Sequence, residues 1–242
     1  MSKKIVSNPI MDKGAVEEYM QKMIDDSNHR FKSWEHCYYA FGDDNKTIDE
    51  LALHLAFYLA SWGMYRGKCG IFWKDYKIHI KTIGIIRKYY DLRGKWYGDE
   101  DVDRIMELHS EIQGYYSGLK YHKADGTELD VSATDTLITK IMLGTIGCVP
   151  AMDDLFKKGF GMYPSKIFDE KLLIQILEFS ERNKNDILQY QNLIQTGIKC
   201  LYPPMKIVDM YFWQKGFDAY REKKMGQPRQ CSVRLCGVQY RF

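Results

Sequence analysis

Apolar residues recur along most of this chain at the three- and four-residue spacing of amphipathic helices. Residues 12–27 carry Val16, Tyr19, Met20 and Met23 on one face. Thr47 followed three residues on by Glu50 forms a capping box that opens DELALHLAFYLASWGMY, a segment apolar nearly all round and therefore expected at the centre of the core. Residues 74–91, KDYKIHIKTIGIIRKYYD, are expected to form a further helix, although the alternation in YKIHIKTI also fits a strand. A helix over 100–116 follows, with Ile105, Met106, Leu108 and Ile112 apolar.

KADGTELDVSA, residues 123–133, interrupts the pattern as a turn-rich connection. Ser132 with Asp135 then forms a second capping box for TDTLITKIMLGTIG, which Gly147 is placed to close in a left-handed cap. Three more helical segments follow: EKLLIQILEFSERN, residues 186–201 up to the Pro203–Pro204 pair, and MKIVDMYFWQKGFDAYRE. The expected class is all-α, a compact multi-helix globular unit over 1–242. Lobes at 1–122 and 123–221 would flank a cleft, and 222–242 would form a basic tail.

Composition narrows the setting. The 242 residues suffice for a sizeable core, and no apolar run is long enough to span a bilayer. The N-terminus lacks the apolar region of a signal peptide, so a cytoplasmic protein without membrane association is expected. Six scattered cysteines without a C-x-x-C indicate neither a disulfide framework nor a zinc site, and no cofactor is indicated. His54, between two leucines, has no partner ligand at helical spacing and is expected to satisfy a buried hydrogen bond. The net charge of +3 is uneven, because residues 222–242 hold five basic side chains against one acidic. Such a tail suits either phosphate contact or a solvated terminus.

The stretch TKIMLGTIGCVPAMDDLFKKGF carries the candidate chemistry. Asp153 and Asp154 stand where a helix begins, which suits an N-cap, while Pro150 stiffens the approach to them. TDTLITKIMLGTIG followed by CVPAMDDLF resembles the helix-hairpin-helix DNA glycosylases, in which a helix, a turn of the form V-P-V-D and another helix follow the hairpin. The resemblance implies that Asp153 is the catalytic carboxylate, stabilising positive charge that develops on the sugar as a modified or damaged base leaves. It also implies double-stranded DNA as partner, in repair or in defence against modified foreign DNA. The proline-to-aspartate spacing is one residue longer here, and the glycine hairpin L-P-G-[VI]-G is not found in KADGTELDVSA. A rival register places the hairpin at LGTIG and the aspartate at Asp169.

Bifunctional members carry a lysine near the start of the helix after the hairpin. Thr134 occupies that position here, so water is the expected nucleophile, without strand cleavage. Lys140, on the same helix, is either a second catalytic candidate or a snorkelling surface residue. Asp209, among apolar residues, is a third candidate. Trp34, Tyr38 and Trp213 are candidate stacking residues for an extruded base, or else core, and Lys157 and Lys158 complete the expected substrate-binding set.

Two other readings stand beside this one. RIMELH, from Arg104 to His109, and HRFKSWEH, from Arg30 to His36, resemble the arginine–histidine motif of the all-helical HEPN ribonucleases. Alternatively the chain is a helical interaction module whose aspartates serve only as caps.

Overall fold

In a computed structural model, residues 11, 13–66, 69–162, 167–198 and 201–225 are described. Among the described residues, ten α-helices and a two-stranded ribbon form a mainly-α globular fold around one continuous apolar core. The helices are α1 (Lys13–Asp25), α2 (Lys32–Ala40), α3 (Ile48–Ser61), α4 (His79–Arg87), α5 (Val102–Ser117), α6 (Asp135–Thr145), α7 (Asp154–Gly159), α8 (Glu170–Arg182), α9 (Lys184–Ile198) and α10 (Pro204–Met225). No helix among the described residues is long and apolar enough to cross a membrane. The tail beyond Met225, with Cys231 and Cys236, lies outside the described residues.

The capping box of α3 forms as its sequence dictates: the Glu50 N–H donates to Thr47 Oγ1 at 3.2 Å, and the Thr47 N–H to Glu50 Oε2 at 2.8 Å. The helix itself is less enclosed than its apolarity suggests. Leu51, Leu55, Tyr58 and Leu59 are buried, whereas Leu53 and Phe57 face outward. His54, on the flank between these faces, is half-buried rather than enclosed. The expected helix over 74–91 contracts to α4, because Asp75 accepts the Lys77 N–H and starts a short 3₁₀ turn over Tyr76–Ile78.

The connection at 123–133 contains structure that hydropathy does not signal. Strand β1 (Lys120–His122) pairs antiparallel with β2 (Glu128–Asp130), in the register Tyr121↔Leu129. Asp125 and Gly126 make the turn, the glycine at φ +83° and the aspartate accepting the Thr127 N–H. Strands of three residues with charged ends leave no period-two signal to detect. The cap of α6 also differs from expectation. Thr134, not Ser132, accepts the Leu137 N–H, and Asp135 instead accepts the Phe168 N–H.

Helix α6 is the axis of the core, with every side chain from Leu137 to Thr145 buried. Helix α10 packs against α1, α7 and α9, so the first and last helices share a layer. Between them, Tyr19 and Trp62 stack on opposite sides of Phe31, with Trp213 meeting all three rings edge-on.

Away from this layer, His79 is fully enclosed, its ring nitrogens in contact with Tyr65 Oη at 2.8 Å and Tyr116 Oη at 2.5 Å. Burial drives its pKa from 6.5 down to about 3. Between these values the unfolded chain binds a proton that the fold refuses. The stability from neutral His79 is therefore complete above pH 6.5 and drains as pH falls toward 3, at up to about 1.4 kcal/mol per pH unit. Urea unfolding of wild type between pH 7 and 4 is expected to show this slope, and His79→Met to show a flatter one. Parallel slopes would remove His79 as the cause.

Candidate functional site

The candidate site is assembled by the turn between α6 and α7. Gly147 ends α6 at φ +76°, its N–H donating to the Met142 carbonyl at 2.8 Å. Any Cβ there would press on Pro203 and Tyr38. Residues 148–152 are then buried without regular secondary structure, so their backbone N–H groups need partners from elsewhere. The Ala151 N–H donates to Asp209 Oδ1 at 3.0 Å and the Met152 N–H to Thr139 Oγ1 at 2.9 Å. Thr136 Oγ1 donates to the Met152 carbonyl at 2.7 Å.

This pinned turn delivers Asp153 as the N-cap of α7. Its Oδ1 accepts the Leu155 and Phe156 N–H groups at 3.1 and 3.0 Å, and its Oδ2 accepts Lys140 Nζ at 2.9 Å. Three donors thus set the carboxylate's orientation. Lys140 does not snorkel to the surface. Its side chain is 3% exposed, against 18% for Asp153, and its ammonium lies 4.8 Å from the centre of the Trp62 ring.

Helix α7 is itself clamped to α10. A Cβ on Gly159 would overlap the Phe212 carbonyl oxygen, and one on Gly216 would overlap the Leu155 carbonyl oxygen. The two backbones touch directly, and only glycine permits that approach.

A cleft of about 260 Å³ opens over the pair, lined by Trp62, Met64, Arg66 and Thr136 as well as Lys140, Asp153, Asp154 and Leu155. Its size suits a small planar group rather than a large ligand. The indole N–H of Trp62 is buried without a hydrogen-bond partner among the described residues. Arg30 lies over the same ring at 4.6 Å and donates to the Ser61 carbonyl at 3.1 Å.

Larger hollows lie along α8 and α9. The one at α8, about 600 Å³, includes Asp169, which caps that helix through the Leu172 N–H. Its wall is built from one helix face and holds no buried ion pair. The rival register is not supported locally, since LGTIG is the last turn of α6 and its cap rather than a hairpin.

The other expected site residues are distributed differently. Asp209 sits behind the turn, 3% exposed, paired with Lys206 Nζ at 2.9 Å. Trp34 and Tyr38 stack on each other in the core, with the Trp34 Nε1–H donating to the Leu143 carbonyl at 3.0 Å. Trp213 is stacked on Phe217. The faces of these three rings are covered by protein, in keeping with the alternative that they are core. Trp62, which hydropathy alone assigned to the end of α3, is the aromatic at the cleft. Lys157 and Lys158 occupy the last turn of α7, where cations meet its carbonyl end, and Lys158 lies over the Tyr220 ring at 5.5 Å. Neither lines the cleft.

The ribonuclease pairing is not assembled. Arg104 and His109, five residues apart, point roughly 140° from each other around α5. Arg104 donates to the Lys88 carbonyl at 2.8 Å and to Asp91, whereas His109 is buried against Phe168 with Asp135 at 3.4 Å. His36 is exposed on α2, while Arg30 is engaged with Trp62.

Removing either half of the Lys140–Asp153 pair has unequal consequences. Asp153→Asn strands a deeply buried ammonium and is expected to cost about 3 kcal/mol, more than the loss of a cap alone. Lys140→Met leaves a carboxylate with two N–H donors and partial solvent, at about 1 kcal/mol. Urea unfolding of both singles and the double variant checks this, and additive, equal effects would contradict it. Gly216→Ala, which forces α7 off α10, is expected to cost at least about 2 kcal/mol by the same measurement.

Comparison of the chain with protein-family models, with curated proteins and with solved structures finds no significant match in any of the three.

Proposed function

We propose that this chain is a DNA glycosylase-like enzyme that cleaves the N-glycosidic bond of a modified or damaged base, with water as nucleophile. The observation that carries the proposal is the Asp153 carboxylate, oriented by three donors in a cleft walled by an indole. As the bond to the base lengthens, the electron pair leaves with the base and the sugar becomes an oxocarbenium-like cation. A fixed negative charge beside that cation lowers the barrier without having to reorganise.

A carboxylate offers roughly four acceptor positions, and three of those on Asp153 are taken. The one that remains suits a water molecule, which attacks the anomeric carbon and passes its proton to the departing base or to solvent. The products are the free base and an abasic sugar. Trp62 supplies the wall for a flipped base, and Arg66, exposed at the rim, supplies a charge for the DNA backbone. Repair of the cell's own DNA and defence against modified foreign DNA both fit this chemistry.

The burial of Lys140 in the same cleft favours a second reading in one respect. Were its amine freed from Asp153 and deprotonated, it would displace the base at the anomeric carbon and open the sugar ring to a Schiff base, from which elimination of the 3′-phosphate cleaves the strand. Its engagement as an ammonium donor to Asp153 supports the water mechanism instead.

Mass spectrometry of bases released from a panel of modified DNAs tests both readings. Wild type is expected to release one base class, and Asp153→Asn to do so at least about 100-fold more slowly. Trp62→Ala is expected to raise KM. Borohydride added during turnover is expected to trap no DNA adduct on Lys140. A trapped adduct would replace water by the amine, and equal release by wild type and Asp153→Asn would end the proposal.

A further inference from the structure

The buried Lys206–Asp209 pair has no place in the chemistry above, although it lies directly behind the turn that delivers Asp153. Its two side chains are 3% and 5% exposed and meet at 2.9 Å. Burying two charges is costly, and an apolar pair of similar volume would commonly pack at no loss of stability. The pair therefore calls for a reason beyond packing.

Its contacts supply one. Asp209 Oδ1 accepts the Ala151 N–H at 3.0 Å, and Oδ2 accepts Lys206. Ala151 is two residues before Asp153 in a buried turn that has no ladder or helix to take its N–H. The ammonium of Lys206 is surrounded by rings, 5.1 Å from the centres of Tyr19 and Trp34 and 5.8 Å from Trp62. Trp62 in turn meets Lys140, the partner of Asp153. One acidic side chain on α10 is thus joined to the turn through its backbone, and through Lys206 and Trp62 to the cleft wall.

We infer that Asp209 is a positioning residue: it holds the turn through the Ala151 N–H so that Asp153 meets the substrate in its working orientation, while Lys206 keeps Asp209 in place. The catalytic consequence rests on the glycosylase reading; the positioning itself does not. A displacement of about 1 Å at a reacting group is enough to reduce turnover by orders of magnitude.

Two double variants separate the hydrogen bond from the charge pair. Lys206→Met with Asp209→Asn removes both charges and keeps an acceptor for Ala151, whereas Lys206→Met with Asp209→Leu removes the acceptor as well. Amide hydrogen exchange over 151–156 is expected to stay near wild type in the first and to accelerate at least about tenfold in the second. Base release should follow, with kcat reduced at least about tenfold only in the second and KM unchanged. Asp209→Ala in the Lys206→Met background provides the same contrast should the leucine variant not fold. Equal exchange in the acceptor-keeping and acceptor-lacking variants would overturn the inference. If wild type releases no base from any DNA, the glycosylase reading falls, and the exchange contrast still decides whether Asp209 positions the turn.

Discussion

Two ammonium groups, Lys140 and Lys206, each almost fully buried, lie against one shared indole. A buried charge that is neither paired nor hydrogen-bonded is intolerable at the stability of an ordinary domain. Each lysine therefore brings a carboxylate with it, and those carboxylates, Asp153 and Asp209, determine much of the local structure. Asp153 begins α7 and Asp209 lies within α10, so satisfying both charges fixes the turn from two sides. The rings of Tyr19, Trp34 and Trp62 supply the faces that make this charge burial tolerable.

The second constraint is steric. Helix α7 has only six residues, too few to hold its direction unaided. Contact between the backbones at Gly159 and Gly216 seats it on the long α10, and the same helix supplies Asp209 to the turn. The cleft is consequently built on rigid elements, with its carboxylate held by both main-chain and side-chain donors, an arrangement suited to electrostatic chemistry.

Against the helix-hairpin-helix glycosylase pattern that the sequence resembles, this geometry differs at specific places. Where the resemblance would put a glycine hairpin, the chain has the ribbon of β1 and β2 between α5 and α6. Thr134, which the resemblance would put at the lysine position, is the N-cap of α6, while Lys140 approaches Asp153 from a position further along the same helix. In the proposed reading, the carboxylate is kept and its surroundings are rebuilt from other residues.

Much of the fold was legible because its signals are local. Helical periodicity, the Thr47–Glu50 box, the glycine that closes α6 and the aspartate that opens α7 each depend on residues within a few positions, and each forms. The β-ribbon escaped because three-residue strands are too short to show a period, and α4 was overextended because a capped 3₁₀ turn carries the same apolar spacing. The candidate site was half legible. Asp153 could be identified from its turn, but Lys140, Trp62 and Asp209 are 13, 91 and 56 positions from it, and no local pattern relates them. The sequence by itself determined most of the helices and several of their ends, since capping and periodicity act within a turn or two. Only the tertiary structure decided that Lys140 is buried and paired, that Trp62 rather than Trp34 faces the cleft, and that Asp209 holds the turn, because charge pairing and ring contact depend on which helices cross.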